Sequence, residues 1–284
     1  MVTDIVRAVV GNRAEITPLM GPGVDPHLYK PTRGDVKRLI EADVVVYSGL
    51  MLEGRMSETF TQVARKGKTV FAVTEGLDHG RLREPPEFAG HYDPHVWMDV
   101  TLWSECVDYI AKMLAEYDPP HAGEYQQNAA KYRESLKGLD EYVHRVIQSI
   151  PEDRRVLVTA HDAFGYFSQA YGIEVRSVQG VTTESEAGVQ DVNNLVEFLV
   201  ERKIPAIFVE SSVNSKNIEA VVEGCRARGV TVKIGGELFS DALGPAGHYT
   251  GTYVGMIDAN ATRIARALGG EVPSDGYQGL LSDE

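Results

Sequence analysis

Between residues 123 and 150 the chain carries one long amphipathic stripe, and no other stretch restricts the fold as strongly. Its apolar positions are Tyr125, Ala129, Tyr132, Leu136, Leu139, Val143, Val146 and Ile150, spaced alternately by four and three residues. That is the period of a helix with one buried face. At 1.5 Å per residue such a helix is roughly 40 Å long, too long to flank a single strand. Pro151 ends it. The element therefore reads as a helix crossing from one domain to another.

Both flanks of this helix alternate short apolar runs with helical patterns, the signature of parallel sheets. Before it, strands are predicted at 14–20, 42–48 and 69–73. Helices are predicted at 3–11 (ended by Gly11), after Thr32 with Asp35 as its capping partner, at 52–66, and from a cap at Asp99 or Thr101 to Tyr117. After it, strands fall at 156–160, 174–178, 206–209 and 231–234, with helices at 162–171, 190–202, 214–228 and 251–268. The polar tail from Pro273 reads as frayed. The expected fold class is α/β: an N-terminal lobe over 1–122, a linking helix over 123–150 and a C-terminal lobe over 151–284. Each lobe is a parallel sheet flanked by helices.

A chain of 284 residues is long enough for two such lobes. A net charge of −13 with no basic stripe argues against nucleic acid as a partner. Cys106 and Cys225 both fall in helical stretches, and neither is in a Cys-x-x-Cys pair, so they read as two unpaired thiols. No apolar run is long enough to span a bilayer. No signal peptide is visible, since Met1-Val2-Thr3-Asp4 leads straight into a helical pattern.

One motif occurs twice. Asp25-Pro26-His27-Leu28-Tyr29 recurs as Asp93-Pro94-His95-Val96-Trp97. In each, proline fixes the backbone ahead of a histidine, so the imidazole leaves a stiff turn in a set direction. That suits a metal ligand, although Asp-Pro is also a common turn starter. In parallel sheets ligands bind beyond the carboxyl ends of strands. His27, His95, His161 and Asp241 all follow predicted strands, two from each lobe. Three imidazoles and a carboxylate make a complete donor set for zinc, and also fit manganese or iron. His161 also reads as a capping or core histidine, and Asp241 as a plain turn aspartate. His79, His91, His121, His144 and His248 read as surface or loop histidines, with His91 placed to serve as an accessory ligand. Glu184, Glu186 and Glu210 would supply a base if the cleft were that of a zinc-dependent hydrolase. No Gly-x-Ser-x-Gly elbow, P-loop or Gly-x-Gly-x-x-Gly follows a strand.

Six stretches together resemble the zinc/manganese-binding solute-binding proteins of bacterial ABC importers. They are Leu19 to Tyr29, Ala42 to Leu50, Asp93 to Asp99, Thr159 to Phe167, Phe208 to Asn214 and Leu238 to Gly244. The resemblance implies two α/β lobes joined by one rigid helix, with a single metal in the interlobe cleft on His27, His95, His161 and Asp241. It implies an extracytoplasmic protein, periplasmic or lipid-anchored on the outer face of the cytoplasmic membrane. Such a protein works as a monomer and delivers Zn2+ or Mn2+ to an ABC permease with its ATPase. Some relatives carry the label of surface adhesin. Manganese-selective members often have a glutamate where this chain has His161, which favours zinc. The loop over 74–94 holds only His79 and His91, fewer than zinc-uptake members often carry there. Family members begin with an export signal and a first strand, and the sequence is expected to start inside the mature protein.

Overall fold

The structure is a computed structural model, and it describes residues 1–281. Its elements are α1 (Val2–Val10), α2 (Arg33–Glu41), β1 (Val44–Tyr47), α3 (Ser57–Arg65), β2 (Thr69–Ala72), α4 (Val100–Tyr117) and α5 (Ala122–Gln148). They continue with β3 (Val156–His161), α6 (Gly165–Tyr171), β4 (Glu174–Gln179), α7 (Val189–Arg202), β5 (Ala206–Glu210), α8 (Lys216–Ala227), β6 (Lys233–Leu238) and α9 (Tyr253–Leu268). Each strand pairs in parallel with its successor: β1 with β2, β3 with β4, β5 with β6. β3 also lies beside β5. This is the α/β architecture expected, with short parallel sheets, flanking helices and one long helix. Among the described residues no helix is long and apolar enough to cross a membrane.

α5 is the predicted long helix, and its buried stripe is nearly the one read from the sequence: Tyr125, Ala129, Leu136, Leu139, Tyr142, Val143, Val146 and Ile147. It is not a bare strut. α4, α9 and α1 pack along it, and one continuous apolar core runs from Ile5 on α1 to Leu268 on α9. A second, small core of Leu39, Val45, Met56, Phe60 and Val63 sits between β1 and the helices α2 and α3.

Four expectations differ. Residues 14–20 form no strand. Pro18 removes a ladder donor, and only Ile16, Leu19 and Met20 are even half-buried, so the stretch has neither the pairing nor the alternating face of a strand. The last strand starts two residues late and runs on to Leu238, through Gly235-Gly236. Those glycines look like breakers, but they make a bulge: the register shifts between Ile207 and Val209, and a Cβ at Gly235 would lie 2.8 Å from the Phe208 ring. β3 extends through His161, and α6 begins only at Gly165. Finally, the tail is pinned as far as Tyr277, whose backbone N–H donates to both oxygens of Asp258 at 2.9 and 3.0 Å. Residues 282–284 of the expected frayed tail lie outside the described residues.

Candidate metal centre

Both Asp-Pro-His turns fold alike. The aspartate accepts the histidine's backbone N–H, His27 to Asp25 Oδ1 at 2.8 Å and His95 to Asp93 Oδ1 at 2.9 Å. With proline fixing φ between them, each imidazole points inward from a closed turn. Because 14–20 is not a strand, His27 is aimed by this turn alone and not by a strand end. His161 closes β3, and Asp241 follows β6 by three residues.

The four side chains converge. One donor atom from each of His27, His95, His161 and Asp241 lies within 4.8 Å of every other, and all four residues are buried. His95 Nε2 is 3.3 Å from His27 Nε2 and 3.3 Å from His161 Nε2. It lies 3.3 Å from Asp241 Oδ1, while His161 Nε2 is 3.2 Å from Asp241 Oδ2. His27 Nε2 is 3.9 Å from Asp241 Oδ2. In a regular tetrahedron with bonds of 2.0–2.1 Å, donors sit about 3.3–3.4 Å apart. Neither Asp241 oxygen receives a hydrogen bond of good geometry, though both are buried. A carboxylate buried with two idle oxygens is costly unless a cation meets it.

Behind this ring stand two carboxylates. Asp93 Oδ1 accepts the Nδ1–H of His95 at 2.8 Å, and Glu210 Oε2 accepts that of His161 at 2.5 Å. Glu210 Oε1 also takes the backbone N–H of Ala160 (2.7 Å) and of His161 (2.9 Å), which ties the end of β3 to the end of β5. A donor bond at Nδ1 fixes the tautomer that leaves the Nε2 lone pair free for a metal.

The electrostatics separate the histidines. Burial holds His27 down to about 3, against the pull of Asp241, so its ring is neutral. Burial also opposes charge on His95, but the adjacent negative carboxylates of Asp241 and Asp93 outweigh it and raise the ring to about 9. Glu210 and Asp241 likewise overcome burial and lift His161 well above the ordinary histidine range. Asp241, despite its burial, is held well below the usual carboxylate range by His161 and His95.

His27 opens onto a cleft of about 380 Å³ lined by Arg55, His91 and Glu184. Two contacts cross its mouth: Arg55 Nε donates to Glu184 Oε1 at 3.0 Å, and Thr183 Oγ1 to Asp25 Oδ2 at 2.5 Å. His91 is exposed and lies against the Phe88 ring, centroids 5.1 Å apart and tilted by 39°, outside the convergent set. His79, His144 and His248 are exposed, and His121 pairs with Asp118 at 2.8 Å. Sequence reasoning missed the anchoring roles of Asp93 and Glu210. Asp93 was in plain view as the acid of the second Asp-Pro-His, but the first copy spends its second oxygen on Thr183, so the motif does not reveal the role. Glu210, 49 residues from His161, has only its strand-end position as a signal.

Comparison with known proteins bears on the whole chain. The family model of ZnuA, the periplasmic component A of a zinc-uptake complex, matches residues 1–267. The zinc-binding protein TroA of Treponema pallidum is 48% identical over 268 residues, spanning 94% of this chain and 86% of its own. The manganese-binding lipoprotein MntA of Bacillus subtilis is 46% identical over 267 residues, spanning 94% and 87%. The solved structure of periplasmic TroA superposes with a TM-score of 0.90, covering 93% of this chain and 95% of that one. Proteins of this kind are solute-binding components of transporters, not enzymes, which removes the hydrolase alternative. The chain belongs to the ZnuA family of metal-binding substrate-binding proteins of ABC importers.

Proposed function

We propose that the chain captures one divalent transition metal outside the cytoplasmic membrane, zinc in preference to manganese, and hands it as a monomer to an ABC permease driven by its ATPase. The metal is held by His27, His95, His161 and Asp241. Residues 1–122 and 151–284 form the two walls of the cleft, with the helix over 123–150 between them. The observation that carries this reading is the buried convergence of three Nε2 atoms on an Asp241 carboxylate with no hydrogen-bond donor.

Zinc is favoured by the donor set and its spacing. Three nitrogens and one carboxylate, with His95 Nε2 3.3 Å from both other imidazoles, suit zinc, whereas manganese prefers more oxygen donors in an octahedral array. Manganese has one argument of its own: His95 Nε2 approaches one Asp241 oxygen and His161 Nε2 the other, so the carboxylate can offer both. The relatives divide the same way, one named for zinc and one for manganese. Titration of the chelator-stripped chain by calorimetry at pH 7.5, zinc against manganese, tests the choice. The expected result is one site per chain, with zinc displacing bound manganese. Tight manganese binding that equimolar zinc leaves undisturbed would reverse the preference. No binding of either ion would overturn the capture function.

A further inference from the structure

The loop between β2 and α4 carries Arg83, whose side chain is 20% exposed and reaches inward to Asp93, which is fully buried. Arg83 Nη1 donates to Asp93 Oδ2 at 2.6 Å. The other oxygen of the same carboxylate holds both the backbone N–H and the Nδ1–H of His95. One carboxylate thus links a cation at the cleft wall to the orientation of an imidazole in the centre.

The seat of the guanidinium is built by α6, from beyond α5 in the sequence. Its central carbon stands 5.7 Å from the centroid of the Tyr166 ring. The Tyr166 hydroxyl accepts the backbone N–H of Arg83 at 3.0 Å and donates to the backbone carbonyl of Asp93 at 3.0 Å. Asp93 in turn donates its own N–H to the carbonyl of Arg83 at 2.8 Å. Beside them, a Cβ on Gly165 would lie 1.1 Å from Arg83 Nη1 and 2.0 Å from its Cζ. The guanidinium occupies the volume that any side chain at 165 would need. Gly165 has no left-handed φ, so its backbone does not require glycine. What requires it is the space.

We propose that Arg83 is a positioning residue for the metal centre. Its guanidinium, seated in the gap left by Gly165 on α6, clamps the Asp93 carboxylate and so fixes the direction in which His95 presents Nε2. Metal affinity then depends on the docking of the long loop against α6. Without the clamp, Asp93 Oδ2 has no partner and the carboxylate can rotate, taking the His95 ring with it. A carboxylate–histidine pair of this kind, when disrupted, typically costs about 10- to 100-fold in metal affinity. The inference rests on the capture site proposed above.

Three variants test it: R83A, R83K and G165A. Each is titrated with zinc against a chromophoric chelator. Each is also loaded with cobalt, whose visible absorption bands report site geometry. R83A should raise the zinc Kd about 10- to 100-fold and alter the cobalt bands. G165A should do the same while keeping every charged residue, because its methyl displaces the guanidinium. The circular dichroism spectrum and melting temperature of G165A, read alongside, separate lost affinity from loss of fold. R83K should recover part of the affinity, since an ammonium restores one charged donor to Asp93. If R83A fails to fold, G165A decides. Parental Kd and cobalt bands in the folded variants, whatever their melting temperatures, would mean that Arg83 only holds the loop, and would overturn the inference while the capture site stands. A parent chain that binds neither ion would overturn both.

Discussion

The tautomer of His161 decides whether it can be a ligand at all, and Glu210 sets it. Its Oε1 serves two backbone N–H groups and its Oε2 faces Nδ1. In E210Q the amide oxygen must stay on those N–H groups, which turns the NH2 toward Nδ1. Nδ1 must then accept, and the proton of a neutral ring moves to Nε2, the atom aimed at the metal. E210Q should therefore fold yet lose zinc affinity by about 100-fold. Equal affinity in the two chains would remove Nε2 of His161 from the ligand set. The raised His95 carries a second expectation. With its ring held up to about 9, His95 keeps a proton at neutral pH that zinc must displace. Zinc affinity should climb as pH rises toward 9. At pH 7, calorimetry in two buffers of unlike ionisation enthalpy should show at least one proton released per zinc; no release would contradict the assignment. By the same linkage, the metal-free fold gains stability from the raised His95 below the ordinary histidine pKa and loses that gain as pH rises through about 9. At this scale the four candidate residues were legible, His27 and His95 from their proline turns and His161 and Asp241 from their places after strands. Glu210 was not, because its partners are strands apart in sequence.

Among the elements, α5 was the most legible and the most informative. A stripe at strict helical spacing from Tyr125 to Ile150 admits no other structure. What the stripe does not tell is what covers it, and α4, α9 and α1 together make it the spine of one core. Leu139 lies at its middle, fully buried. L139A should cost about 2–5 kcal/mol and lower a single cooperative unfolding transition. Two separate transitions, only one of them shifted, would show that the core is not continuous across α5. The capping box on α2 was equally visible: Thr32 Oγ1 accepts the Asp35 N–H at 3.2 Å, and the Asp35 carboxylate accepts the Thr32 N–H at 2.8 Å. The two misread strands share one cause. A strand exists by virtue of its neighbour, so 14–20 looked extended without having a partner, and the bulge in β6 hid a strand behind two glycines.

At the scale of the molecule, the fold brings distant parts of one chain to one point. His27 and His95 come from before α5, His161 and Asp241 from after it, and each is carried by a structure that is itself tied across. Trp97, two residues past His95, donates its indole N–H to the carbonyl of Ser240 at 2.8 Å, next to Asp241. The Tyr253 hydroxyl donates to the carbonyl of Trp97 at 2.8 Å. Arg55–Glu184 and Thr183–Asp25 close the mouth over His27 from both sides. Such a centre is assembled only by the complete tertiary structure, which is why no compact motif in the sequence encodes it. The most direct test of its central claim is X-ray absorption at the zinc edge on the chain loaded with one equivalent of zinc. Three imidazole nitrogens and one carboxylate oxygen should appear at about 2.0–2.2 Å. A sulfur shell near about 2.3 Å, or fewer than three imidazoles, would contradict it.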